Sequence, residues 1–360
     1  MNGPTYLIIA EGAFGPETSK TANSAIRYLP ERIVGVLDST ARGRTCQDVL
    51  GFGGSIPVVR SIEEGFALRP QALMIGIAPA GGRLPIEWRG WILAALDRGL
   101  TVWSGLHTSI GADPEFAARA KARGAAIIDA RKPPANLPVS NGLAKDADAL
   151  VVLSVGSDCN VGKMTAQLQI VRGLNARGVR TRFAATGQTG ILIEGWGIAV
   201  DAVVADFIGG AAEQLVLEAA QGADVVLVEG QGSLIHPGYS GVTLGLLHGS
   251  CPTAMLLCHQ ASRELIGDYS PTRPAWVRIP PLSELVRLYE DALRPVHDGT
   301  VVGIALNTYD LSDAAAKAAI AVAQSETGLP ATDPVRFDPA PLIEAVAQAH
   351  ARWRAARASA

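Results

Sequence analysis

Short apolar runs rich in β-branched residues alternate with helical periodicity along most of this chain. In the first part these runs are Thr5–Ala10, Arg32–Leu37, Ala72–Ile77, Leu100–Trp103 and Ala125–Ile128. Each has the length of a buried strand. Between them, Trp88–Arg98 and Pro114–Arg123 repeat their apolar residues with the period of a helix. Strands separated by helices predict parallel βαβ units in a doubly wound sheet. The segment Pro133-Pro-Ala-Asn-Leu-Pro138 breaks the periodicity and predicts a linker. A second alternating series follows, with strands expected at Val151–Val155, Thr181–Ala184, Asp224–Glu229, Thr253–Cys258, Trp276–Ile279 and Val301–Leu306. Amphipathic helices over Leu311–Thr327 and Pro339–Ala356 close it. The pattern predicts a Rossmann-like α/β domain over residues 1–138 and a second α/β domain over 139–360.

Composition supports two such domains. The chain has 360 residues, 48% apolar and 18% charged, enough to bury two ordinary cores. A formal net charge of −3 gives no electrostatic reason to expect a nucleic acid or an anionic membrane as partner. Aromatic residues, at 5%, are too sparse for a base-stacking surface. The four cysteines, Cys46, Cys159, Cys251 and Cys258, form no CxxC pair, so neither a zinc site nor a disulfide framework is expected. Leu7–Ala10 is too short for a secretory h-region. Gln231–Ser262 carries no Asp, Glu, Lys or Arg, yet Gly, Pro and His interrupt it, so it reads as buried strand and loop and not as a membrane span. These features predict a cytoplasmic protein, and the rather apolar composition predicts a homo-oligomer.

The chemistry concentrates after the run Val151–Val155. Gly156, Ser157, Asp158, Cys159, Asn160, Val161 and Gly162 form a glycine-bounded loop, and Lys163, Met164 and Thr165 open the next helix. Such a loop cradles phosphate oxygens with backbone N–H groups at the positive end of a helix. Lys163 would add a point charge, and Thr165 a hydroxyl for phosphate or a metal-bound water. The spacing departs from the usual pattern: five residues separate Gly156 and Gly162, and Met164 stands between Lys163 and Thr165. Phosphate binding is therefore better supported than nucleotide hydrolysis. Cys159 is read as a packing residue, with a covalent acyl-cysteine as the alternative.

Other candidates stand at the ends of expected strands. Ala184–Gly190 is a small, hydroxyl-rich loop in which Thr186, Gln188 and Thr189 are candidate substrate contacts. Asp206 follows an apolar run and is a candidate base or Mg²⁺ holder. Glu229 ends an apolar strand, where phosphate-loop proteins carry a metal-orienting carboxylate. His236 is close to it in sequence, and histidine is a residue type suited to general-base work. Backbone N–H groups of Gly230–Ser233 are candidate donors to a tetrahedral oxyanion. His248 and His259 read as structural. In the first domain, Glu11–Pro16 is a glycine loop after the first strand, and Asp38 ends the second strand, where a ribose-binding acid would stand. Gly12 and Gly15 lack the dinucleotide spacing, however, so a domain without a ligand is the expectation there. Ala78–Gly82 is a further strand-end loop.

Two segments, Val155-Gly-Ser-Asp-Cys-Asn-Val-Gly-Lys163 and Val228-Glu-Gly-Gln-Gly232, resemble those of dethiobiotin synthetase-type phosphate-loop proteins. The whole chain is closer to the D-glutamate N-acetyltransferase family. That likeness rests on Ala10–Gly15, Leu37–Thr40, Ile75–Gly82, Gly105–His107, the phosphate loop, Ala185–Gly190, Asp206–Gly210 and Glu229–Pro237. It implies a Rossmann-like domain followed by a P-loop NTPase-like domain, and acetyl transfer from acetyl-CoA to the amino group of D-glutamate or a related amino acid. The phosphate loop would then hold phosphates of CoA, with the thioester in a crevice between the domains. His236, Glu229 and Asp206 are the candidate catalytic groups, and Arg42 or Arg44 would pair with a carboxylate of the acidic amino-acid substrate. The family pattern Asp-Ser-Thr-His-Ala-Gly-Lys is replaced here by Asp38-Ser-Thr-Ala-Arg-Gly-Arg44. The alternatives are an ATP- and Mg²⁺-dependent ligase or kinase, and a nucleotide- or CoA-binding sensor without turnover.

Overall fold

A computed structural model describes residues 3–16, 18–77, 84–267 and 275–359. The chain divides into two compact units, one of Met1–Pro133 with Ile191–Gly195, the other of Pro134–Gly190 with Trp196–Ala360. The first holds a six-stranded sheet of β1 (Tyr6–Ile9), β2 (Ile33–Leu37), β3 (Val58–Val59), β4 (Ala72–Ile75), β5 (Thr101–Ser104) and β6 (Ile127–Asp129). Their order is β3-β2-β1-β4-β5-β6, and every pairing is parallel. This is the strand order of a Rossmann sheet, whose chain reversal at β1 and β4 leaves a crevice at the strand C-termini.

The second unit holds β7 (Leu150–Gly156), β8 (Thr181–Ala184), β9 (Val225–Val228), β10 (Ala254–Gln260), β11 (Thr300–Asn307) and β12 (Ala331–Thr332). They are ordered β12-β11-β10-β7-β9-β8 and again wholly parallel. Helices cover both faces of such a sheet, so its strands are apolar throughout instead of alternating. All seven residues of β7 are buried, as are all four of β9. The segment after the expected linker is fastened to this unit by Glu213. Its buried carboxylate accepts the N–H groups of Asn141 and Leu143.

The expected strand Trp276–Ile279 is absent from the sheet. Its one described ladder contact is an isolated bridge between Leu265 and Arg278. Trp276 is exposed, and Pro280 and Pro281 lack the N–H groups a ladder needs. The place is taken by β12, whose two residues are too few to create a periodic signal. The expected loop Ala184–Gly190 is partly helical, since a helix runs from Gln188 to Glu194. Among the described residues, no helix is long and apolar enough to cross a membrane.

Candidate functional site

The loops that follow β7, β8, β9 and β10 gather at the C-terminal edge of the second sheet. β7 ends at Gly156 and the next helix starts at Lys163. The intervening turn needs left-handed backbone at Asn160 (φ 56°) and at Gly162 (φ 101°). Gly162 supplies this freely because it has no Cβ. The first N–H groups of the Lys163–Ala176 helix have no acceptor within that helix and form its positive end. The Lys163 side chain turns back over the loop. Its ammonium donates to the carbonyls of Asp158 (2.7 Å) and Gly232 (2.8 Å) and is buried. Lys163 thus ties the β7 loop to the β9 loop, in the position from which it would meet an anion. Met164 is buried, whereas Thr165 is half-buried.

The loop is braced from below by residues that lie far away in sequence. Asp158 is fully buried, and its carboxylate accepts Arg263 Nη1 (2.7 Å), the Gly267 N–H (2.7 Å) and the Cys159 N–H (2.6 Å). Arg263 also donates to the Cys159 carbonyl and to Gln260. Ser157 Oγ lies 2.8 Å from His259 Nδ1. Burial, reinforced by the Arg263 charge, pushes His259 down to about 4. The fully buried Tyr289 hydroxyl donates to the Gly156 carbonyl (2.7 Å) and accepts the Leu234 N–H (3.2 Å). Burial raises the pKa of that phenol, so it remains a donor. Arg263 and Tyr289 escape a reading of the sequence. Arg263 does leave one trace, being the first charged residue after the uncharged stretch Gln231–Ser262. Tyr289 is simply one apolar position of an amphipathic helix, Leu282–Leu293.

Two of the three candidate catalytic groups have structural duties. Glu229 follows β9 and is buried. Its carboxylate accepts the N–H groups of Thr186 (3.0 Å) and Gly187 (3.1 Å), at the start of the Gln188–Glu194 helix. The Thr186 hydroxyl returns a bond to the Glu229 carbonyl (2.6 Å), and Gln231 donates to that hydroxyl. Glu229 is therefore a clamp on the neighbouring loop, made through one of its two carboxylate oxygens. Thr186 is part of the clamp, Thr189 is buried in the first helical turn, and Gln188 is half-buried. Gly230 lies so close to β7 that a Cβ would sit 1.6 Å from the Ser154 carbonyl.

His236 is buried 4.5 Å from the Tyr239 ring, measured between centroids. Its Nδ1 accepts the Gly238 N–H (3.0 Å). A neutral ring so held carries its proton on Nε2 and acts as a donor, so a base role would require release of Gly238. One ring nitrogen of His236, the Cys159 sulfur and an Asp158 oxygen all lie within 4.8 Å of one another. The Arg263 guanidinium already on Asp158 opposes a second cation there. Asp206 stands exposed in the first turn of the Ala205–Ala220 helix, without a hydrogen-bond or ion-pair partner among the described residues.

The first unit has a cavity of its own, of about 610 Å³, between the Gly12–Thr18 loop and the segment Asp38–Val49. Arg42 and Arg44 line it and are exposed. Asp38 is buried at the end of β2, where its carboxylate accepts the N–H groups of Phe14, Thr40 and Ala41 and the Thr40 hydroxyl. Burial alone would raise its pKa, but the bonds from Thr40, Phe14 and Gly12 outweigh it and hold the carboxyl below the usual range. The loop Ala78–Gly82 lies outside the described residues.

Residues 138–343 match the P-loop domain of DUF1611, described as a domain of unknown function, and residues 39–133 match its Rossmann-like N-terminal domain. The chain belongs to the DUF1611 family. A DUF1611 family protein from Anabaena variabilis is similar in structure, with a TM-score of 0.90 at 41% identity over 96% of this chain and 100% of that one. A protein of Tritonibacter scottomollicae named D-glutamate N-acetyltransferase is 38% identical over 95% of this chain and 98% of its own length. A protein of the same name from Pseudoalteromonas sp is 33% identical over 92% and 96%. In this DUF1611 protein the phosphate-type loop thus lies in the domain already described for the family as a P-loop domain.

Proposed function

We propose that this protein is an N-acetyltransferase that moves the acetyl group of acetyl-CoA to the amino group of D-glutamate or a related acidic amino acid. The observation that carries this reading is the nearly end-to-end similarity to two proteins named D-glutamate N-acetyltransferase. The donor set of the loop suits the phosphates of CoA. The helix N-terminus, the Lys163 ammonium and the Nε2–H of His236 are all donors. Acetyl-CoA would supply an activated thioester, and the protein's part is to hold its phosphates and to receive the amine. On binding, Lys163 would exchange the Asp158 and Gly232 carbonyls for phosphate oxygens. Of the three groups considered as base, only Asp206 keeps a carboxylate that the fold does not use.

The alternative of an ATP- and Mg²⁺-dependent ligase needs Glu229 and Asp206 to organise a metal. Glu229 is held by two backbone N–H groups and Asp206 is exposed on a helix end, which favours acyl transfer. Incubation with D-glutamate and either acetyl-CoA or Mg-ATP separates the two. Amino-acid-dependent release of CoA thiol is expected, and release of ADP in its place would overturn the proposal. Lys163→Ala should weaken CoA binding, measured by calorimetry, by roughly tenfold or more. Unchanged CoA affinity would remove the loop from the phosphate site.

A further inference from the structure

We infer that the cavity of the first unit is a dicarboxylate site, in which Arg42 and Arg44 each take one carboxylate of an acidic amino acid. This rests on the proposed acceptor class and gives both arginines, where the resemblance implied one or the other, a place in a single cavity of the first unit. The cavity, at about 610 Å³, is within the range of small-molecule sites.

Which groups in its wall remain open decides what it binds. The acids are engaged: Asp38 accepts three N–H groups and a hydroxyl, and Asp48 accepts the N–H groups of Arg44 and Thr45. The glycine loop is engaged as well. Ala13 N–H goes to the Ala10 carbonyl, Phe14 N–H to Asp38 and Gly15 N–H to Ser19. A dinucleotide would need those N–H groups for its diphosphate and a free strand-end acid for its ribose, so that ligand class is disfavoured. A third guanidinium, Arg60, is turned inward onto the carbonyls of Asp38, Ser39, Ala41 and Gly43. The guanidinium groups of Arg42 and Arg44 have no partner among the described residues.

The charged groups of the wall left without a partner among the described residues are therefore two cationic forks, two positions apart in sequence. A guanidinium pairs with a carboxylate through two parallel N–H···O bonds, which discriminates by geometry as well as charge. Two forks suit a ligand with two carboxylates, such as glutamate, better than one with a single anionic group.

Calorimetry on the full chain tests this without acetyl-CoA present. D-glutamate should bind, while D-glutamine, which has one carboxylate fewer, should bind roughly tenfold or more weakly. Arg42→Gln and Arg44→Gln should each weaken D-glutamate to a similar degree. In one of the two variants the preference for glutamate over glutamine should collapse, which a general loss of fold would not produce. Both side chains are exposed, so unchanged melting temperatures are expected. Wild-type-like glutamate affinity in both variants would sink the idea, as would no glutamate binding by the wild type. Arginine-dependent binding of ADP in place of glutamate would also overturn it. Arginine-dependent glutamate binding without CoA release would sustain the site and defeat the acetyl-transfer reading. CoA release indifferent to both arginines would do the reverse.

Discussion

At His259 the surroundings set a stability threshold that pH can cross. The imidazole has an ordinary value of 6.5 and is pushed down to about 4 in the fold, by burial first and by Arg263 second. Between those values the unfolded chain binds more protons than the folded one. Stability from this group is therefore complete above pH 6.5 and is lost as pH falls towards 4, by about 3 kcal/mol at most. Urea midpoints measured from pH 7 to pH 4 should fall more steeply for the wild type than for His259→Asn. Parallel curves would show that the ring is not held neutral. The same residue marks the limit of sequence reading. A structural histidine was legible, yet its partner Ser157 is 102 positions away and no local pattern announces it. Lys163 was legible because its loop and helix are contiguous. The clamp made by Glu229 was not, because the N–H groups it holds belong to a segment 43 positions earlier.

Elements were readable where they were long. Apolar runs of four residues or more, or three turns of amphipathic repeat, survive as signal. The two-residue strands β3 and β12 do not, since they are ordered by neighbours and carry no pattern of their own. Trp276–Ile279 had a strand's composition, but two prolines follow it. The Gln188–Glu194 helix was hidden behind small residues that suggested a loop, and its start is held by the Glu229 carboxylate. Glu229→Gln keeps the size and one acceptor oxygen but loses the charge. It should lower stability by about 1–3 kcal/mol, seen as a lower melting temperature, with kcat within tenfold of wild type. A loss of two or more orders of magnitude in kcat at unchanged stability would restore Glu229 as an acid or base.

The molecule as a whole was the most legible level, because two series of alternating strand and helix leave few alternatives to two parallel sheets. What the alternation could not reveal is how the second sheet closes on its own loop. Tyr289, 133 positions after Gly156, joins the end of β7 to the Leu234 turn. Tyr289→Phe should cost about 1–2 kcal/mol in a urea titration and weaken CoA binding along with it. If stability falls while CoA affinity is untouched, the tyrosine supports the sheet without shaping the cradle.

The long reach of those braces also orders events in time. During synthesis β7, the glycine loop and Lys163 emerge early, whereas Arg263, Gly267 and Tyr289 follow 105, 109 and 133 positions behind the groups they hold. Domains fold as units, and loop-closure entropy delays contacts between distant segments. A nascent chain therefore displays the recognisable P-loop segment long before it has the means to hold that segment in shape, and any ligand capture proposed for it must wait until most of the second unit has left the ribosome.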